Sequence, residues 1–118
     1  MAIIGINAKA RRRYTLKEDT GDQPTVFVYT LPTLAMQHDL FSRVGDDRQR
    51  LKLVDDVLRA CVVEVENLTV PDENGIMMEL SWQKDKDRVL SALTVKQRVE
   101  ISDAVIAAMQ GDKELEKN

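Results

Sequence analysis

A chain of 118 residues falls in the size range of one domain. Its hydrophobic fraction of 43% and charged fraction of 31% are typical of a globular protein and argue against intrinsic disorder. The net charge of −3 gives no general attraction to nucleic acid or to an anionic membrane, and no apolar run is long enough to span a bilayer. Because only 4% of the residues are aromatic, an aliphatic core of packed helices is expected.

The first thirteen residues predict an extended, basic arm ahead of the folded part of the chain. Arg11, Arg12 and Arg13 form its basic cluster, and every acidic residue follows them. Such a cluster suits phosphates or an acidic protein surface. Tyr14 is the one aromatic residue beside it, so a solvated arm, or an arm docked on an acidic partner, is favoured over nucleic-acid binding.

Residues 14–30 predict a short β-hairpin. Tyr14 and Leu16 alternate with polar residues, and a turn-rich stretch follows at 18–22. The run at 25–30 is rich in β-branched and aromatic residues, which are typical of strands. Prolines on both sides of this run limit its length.

Two helices are predicted next. The first begins after the N-cap candidate Thr33, continues to Val44, and ends at Gly45 in the C′ position. The second follows the N-cap candidate Asp46 and extends from Arg48 to about Val63, where alternating valines and glutamates favour an extended chain. Its apolar face is expected to contain Leu51, Val54, Val57, Leu58, Cys61 and Val62.

A loop and a second small hairpin are predicted after these helices. The loop is Pro71 to Gly75, whose Asn-Gly pair favours positive φ angles. Residues Ile76 to Leu80 are expected to pair with part of Val65 to Val70. A charged turn at Lys84 to Asp87 would then lead into a short helix that ends at Leu93.

The last helix has the clearest local signal in the chain. Thr94 and Gln97 match a capping box, and Gly111 is suited to the C′ position. We expect its apolar face to pack against the second helix, with some of that face left for another chain, including a second copy of this one. The predicted face contains Val95, Val99, Ser102, Ile106 and Met109, with Val105 and Ala108 beside them.

No group of residues predicts catalysis, a cofactor or a metal site. His38 and Cys61 are the only histidine and cysteine, and they are too few and too far apart in sequence for a zinc site or a Cys–His nucleophile. The five glycines are isolated, so there is no phosphate-binding loop. Asp55 and Asp56 lie opposite the predicted apolar face and are expected to be solvated. The sequence therefore predicts a protein that is not an enzyme.

Four methionines and a tryptophan suggest an adaptable partner-binding surface: Met36, Met77, Met78, Met109 and Trp82. Methionine suits surfaces that must repack, and a tryptophan beside a surface loop can anchor a partner. The alternative is that these side chains fill gaps in an aromatic-poor core. Together with the basic cluster, the candidate partner-binding residues are Arg11, Arg12, Arg13, Met77, Met78 and Trp82.

Four segments carry a resemblance to a known family. They are an early strand after a turn (Pro24 to Val28), a helix that continues into a short acidic connection (Val57 to Leu68), a loop (Asp72 to Gly75), and the approach to the last helix (Val89 to Leu93). In this order they resemble the tail assembly chaperones of long-tailed bacteriophages. The elements taken together predict a mainly α (α+β) fold in a single domain, residues 1–118. It would have about four helices, a short N-terminal β-hairpin, a basic arm at 1–13 and a frayed tail at 112–118.

The resemblance implies a non-enzymatic protein made in the host cytoplasm during phage assembly. Such chaperones bind the long, helical tape measure protein, help tail tube subunits to polymerise around it, and are absent from the mature virion. One alternative is a structural minor tail or neck component, which would remain in the virion. Another is a small nucleic-acid-binding regulator that uses the basic arm.

Overall fold

The computed structural model describes residues 9–110, so Gly111, the predicted tail and the first eight residues of the predicted arm lie outside it. The α+β class, four helices over the described residues and the N-terminal hairpin are confirmed. The elements in chain order are β1 (Arg12–Thr15), β2 (Val26–Tyr29), α1 (Leu34–Arg43), α2 (Arg50–Cys61), β3 (Val62–Glu66), β4 (Thr69–Pro71), β5 (Met77–Glu79), α3 (Trp82–Ala92) and α4 (Val95–Met109).

The larger sheet is antiparallel, with strand order β1-β2-β3. All four residues of the central strand β2 are buried, and Phe27 and Val28 are only 1% and 2% exposed. The third strand was not predicted: α2 ends at Cys61 and β3 follows immediately, where the sequence indicated only a helix that becomes extended. The structure also shortens the predicted arm, because Arg12 and Arg13 already belong to β1.

The smaller sheet is the predicted second hairpin, in which β4 pairs with β5. Its turn is held by Asp72, whose Oδ1 accepts hydrogen bonds from the backbone N–H groups of Asn74 (2.8 Å) and Ile76 (2.9 Å). Gly75 has a φ of +81°, a conformation that costs glycine little. The geometry of this turn therefore depends on Asp72, Gly75 and the backbone.

The corner between α1 and α2 follows the predicted caps. The Oγ1 of Thr33 accepts a hydrogen bond from the N–H of Met36, and Gly45 takes a φ of +93°. Asp46 caps a short 3₁₀ turn that precedes α2. The predicted face of α2 is shifted, because Leu51 is 59% exposed. The buried residues of α2 are Leu53, Val54, Val57, Leu58 and Cys61.

Helix α3 begins earlier than predicted, at Trp82. The expected charged turn at Lys84 to Asp87 lies inside the helix, where Asp85 departs from helical geometry (φ −130°, ψ 35°). The sequence predicted a turn at this position. The structure instead shows a kink at Asp85, after which the helix continues. Helix α3 packs against β3.

Helix α4 begins with the predicted capping box, in which the Thr94 and Gln97 side chains each accept a hydrogen bond from the other residue's backbone N–H. It packs against α2, as expected. The predicted apolar face is partly wrong: Val95 is 47% exposed, and Ile101, outside the predicted line, is completely buried. The face toward α2 is centred on Ile101, Ser102, Val105 and Ala108.

Candidate partner-binding surfaces

Two members of the basic cluster form ion pairs within the chain. Arg11 lies 3.3 Å from the carboxylate of Glu64, and Arg13 makes two hydrogen bonds to Glu66, at 2.7 and 3.1 Å. The arginines precede or lie on β1 and the glutamates lie on β3, so these pairs span the central strand. The hydrogen bonds from Arg13 lower the pKa of Glu66 below its ordinary value. The sequence predicted that the basic cluster could dock on an acidic partner molecule. In the structure, Glu64 and Glu66 of the same chain are acidic partners of Arg11 and Arg13.

The middle arginine is separated from the other two by the alternation of the strand. Arg12 shares a face of β1 with Tyr14, because successive side chains of a strand point to opposite sides of the sheet. Arg12 is half-buried, and its Nε atom has no hydrogen-bond partner among the described residues. The three arginines are therefore not one continuous basic patch.

The methionine and tryptophan candidates have very different environments. Met77 is 60% exposed, whereas Met78 is half-buried against the core. Trp82 is only 3% exposed, which corrects the expectation of an accessible anchor. It is the first residue of a helix packed on β3, whereas the sequence suggested a position beside a surface loop.

One exposed neighbour of these residues was missed by the sequence reasoning. Ile76 is 64% exposed and directly follows the turn glycine of the small hairpin. Its position after an Asn-Gly turn is the signal that could have found it. We refer to Ile76 and Met77 together as the hairpin tip.

A second surface is a cleft of about 220 Å³ between the α1–α2 corner and α4. We call it the α4 cleft. Its walls are mainly apolar, and Val44 at its edge is 52% exposed. Its apolar walls include Val44, Val54, Val99 and Ile106, and Ser102 lies between the last two on α4.

Two polar atoms at the α4 cleft lack hydrogen-bond partners among residues 9–110. They are the Oγ of Ser102, which is 1% exposed, and the Nε of Arg43. The other two guanidinium nitrogens of Arg43 bind Asp39 at 3.0 Å and Asp56 at 2.7 Å. An unsatisfied buried polar atom costs about 1–3 kcal/mol, so neither of these two atoms stabilises the described fold through a hydrogen bond.

The adjacent carboxylates of Asp55 and Asp56 serve as ion-pair partners between helices. Asp55 lies 3.3 Å from Arg98 on α4, and Asp56 is paired with Arg43 on α1. Their side chains are 39% and 35% exposed, so the expected solvation is retained in part. This pairing accounts for the two adjacent acids on α2.

The single cysteine and the single histidine lie in contrasting environments. Cys61 is completely buried, and its burial raises the pKa of the thiol to about 11. His38 is exposed on α1. In the described part of the chain, no group of three or more His, Cys, Asp or Glu residues is arranged to hold a metal ion.

Over residues 9–110, every helix is too short or too polar to cross a membrane. Comparison of the chain with protein-family models, with curated proteins and with solved structures finds no match.

Proposed function

We propose that this protein is a phage tail assembly chaperone with a mainly helical fold. It would bind the tape measure protein in the host cytoplasm and promote assembly of the tail tube around it, without enzymatic activity or a cofactor. The observation that supports this proposal is the hairpin tip, where Ile76 and Met77 are 64% and 60% exposed. Two large, exposed apolar side chains beside a turn suit contact with another protein.

The side chains of the hairpin tip are not needed to form the turn. Asp72 and Gly75 hold that turn through backbone hydrogen bonds and a positive φ angle. The two exposed side chains gain about 25 cal/mol for each Å² of apolar surface that a partner covers. Methionine adapts its shape easily, which suits a partner that presents many similar but unequal helical surfaces.

A co-expression pull-down tests this proposal. The chain is produced with fragments of the tape measure protein from the same phage genome, and the wild type should retain at least one helical fragment. The double variant Ile76→Thr/Met77→Gln should lose most of that fragment, because the apolar contact is removed while the turn is kept.

A matched control comes from another exposed apolar pair. Leu34 and Met36 on α1 are 68% and 39% exposed, so Leu34→Gln/Met36→Gln removes apolar surface at a different place. This variant should retain the fragment as well as the wild type does. If no fragment is retained by the wild type, or if both double variants behave alike, the proposal is contradicted.

The two alternative functions predict different results. A structural tail or neck component would be found by mass spectrometry of purified virions, where a chaperone should be absent. A nucleic-acid-binding regulator would shift DNA or RNA in a salt-dependent manner. The ion pairs of Arg11 and Arg13 with Glu64 and Glu66 give this last alternative less support, because they compensate much of the basic charge.

A further inference from the structure

We propose that the α4 cleft is a second docking surface, which receives a leucine side chain from a basic amphipathic helix. The cleft measures about 220 Å³. An apolar cavity of about 150 Å³ holds a benzene molecule, so this space is large enough for one branched aliphatic side chain. None of the residues that line it belongs to the hairpin tip, and this inference does not depend on the tail-assembly proposal.

The residue at position 102 keeps this cleft open. Ser102 lies between Val99 and Ile106 on one line of α4, because residues three or four apart share a helix face. A larger apolar residue there would fill the space. The hydroxyl of Ser102 has no hydrogen-bond partner within residues 9–110, so it gives the described fold no compensating bond. The small side chain of Ser102 therefore leaves room in the cleft for the apolar side chain of an occupant.

The surroundings of the cleft fit a helix better than a compact small molecule. Val95 is 47% exposed and precedes Val99 by one helical turn, and Val44 forms the opposite edge. The apolar surface therefore continues along α4 beyond the cleft itself. A helix lying in such a groove inserts one anchor side chain and covers its neighbours on the same face.

The charges at the rim indicate the sign of that partner. Asp47 and Asp103 line the cleft from opposite sides, and both are exposed. Of the two arginines that line it, Arg43 is engaged by Asp39 and Asp56. Arg50 is the one cation at the described rim outside an ion pair, so the rim is acidic on balance and complements a basic helix.

Two synthetic peptides test the inference. One carries leucine at helical spacing among lysines, and the other has glutamate in place of every lysine. Methyl NMR of the wild type should show that the lysine peptide shifts the methyl signals of Val99, Ile106 and Val54. The glutamate peptide should bind roughly tenfold more weakly, and the difference should shrink as salt is added.

A pair of substitutions at one position separates binding from stability. Ser102→Leu fills the cleft, so it should lower peptide affinity by about tenfold or more while raising the melting temperature. Ser102→Ala removes the unpartnered hydroxyl and leaves the cleft open. It should raise the melting temperature and keep the affinity within about twofold of the wild type.

A surface variant provides a test that does not depend on whether the Ser102→Leu variant folds. Asp47→Lys/Asp103→Lys reverses the charge of the rim and should reverse the preference between the two peptides. Three results would each overturn the inference. The wild type could bind both peptides equally, or a folded Ser102→Leu variant could keep the wild-type affinity. The third is a set of NMR shifts confined to the methyl of Met77. Met77→Gln should leave peptide binding unchanged, so failure of the pull-down and failure here are distinct results.

Discussion

The two sheets of this protein place their apolar side chains in opposite environments. In the larger sheet, β2 is buried along its whole length. In the smaller sheet, each strand has exposed residues on both sides of one half-buried residue. Apolar side chains occur in both, but those of β2 hold the fold together while those of the hairpin tip face solvent. An apolar residue in a strand is therefore not evidence of a core position.

The difference follows from the number of neighbours that each strand has. Strand β2 has a partner strand on both sides and contributes Phe27 to the main core. Two strands alone are marginal in water and need packing to persist. The smaller sheet obtains this packing at its base, where Leu80 is 2% exposed and its N–H donates to the carbonyl of Leu68 at 2.9 Å. At its far end, Ile76 and Met77 are exposed to solvent.

The largest expected effect comes from truncating the core of the larger sheet. Phe27 is 1% exposed, and Phe27→Ala should lower the free energy of unfolding by about 3–5 kcal/mol. The matched truncation in the smaller sheet, Met77→Ala, should change it by no more than about 0.5 kcal/mol. Urea unfolding followed by the fluorescence of the buried Trp82 measures both values. Similar losses for the two variants would show that the hairpin tip belongs to the core after all.

A second test compares the local stability of the two sheets in the wild type. Amide hydrogen exchange should be slowest in β2, which opens only when most of the fold opens. The paired amides of β4 and β5 should exchange at least on the order of tenfold faster, because the hairpin can open without disturbing the larger sheet. Equal protection of both sheets would mean that they unfold as one unit.

The sequence predicted local features better than it predicted faces. The Thr94–Gln97 capping box, the Thr33 cap and the Asp72–Gly75 loop depend on residues only a few positions apart, and all are present. The third strand depends on pairing with β2, nearly forty residues away in the chain, and no local pattern at β3 indicates that partner. Local signals specified these caps and this turn, whereas tertiary packing decided which elements pair with each other.

The candidate site illustrates the same limit. Met77 is accessible as the partner-binding interpretation requires, but Trp82 is buried because α3 begins one turn earlier than predicted and packs on β3. The helical spacing predicts Ser102 on the apolar face of α4. That its hydroxyl is buried without a partner follows from the packing of α2 beside α4, which the spacing does not predict. Spacing along one helix cannot reveal a cleft that two other elements complete.

A smaller effect is expected from the link between the larger sheet and α4. The hydroxyl of Tyr14 donates to Glu100 at 2.6 Å and lowers the pKa of that carboxyl below the ordinary value of 4.5. The folded state thus favours the carboxylate, and the resulting stability is complete above pH 4.5 and is lost as the pH falls through the lower folded pKa.

Tyr14→Phe should therefore melt below the wild type at neutral pH, with a gap in melting temperature that narrows as the pH falls below 4.5. Glu79→Gln on β5 is the control in the smaller sheet and should show little change at neutral pH, because its side chain is exposed. Thermal melts at several pH values measure the gap. A gap that stays constant or widens on acidification would rule out this hydrogen bond as its source.

The smallest effect should come from the outer face of the larger sheet. Arg13 and Glu66 hydrogen-bond well, but the side chain of Arg13 is 59% exposed, and exposed ion pairs contribute little because water and salt screen them. Arg13→Gln should lower the melting temperature by about 1–2 °C at low salt and by less at high salt. Combined with Glu66→Gln, it should show a small coupling that salt removes. A large, salt-insensitive loss would mean that the arginine's carbon chain covers Val28, so that β2 depends on apolar contact with its flanking strands more than on their charges.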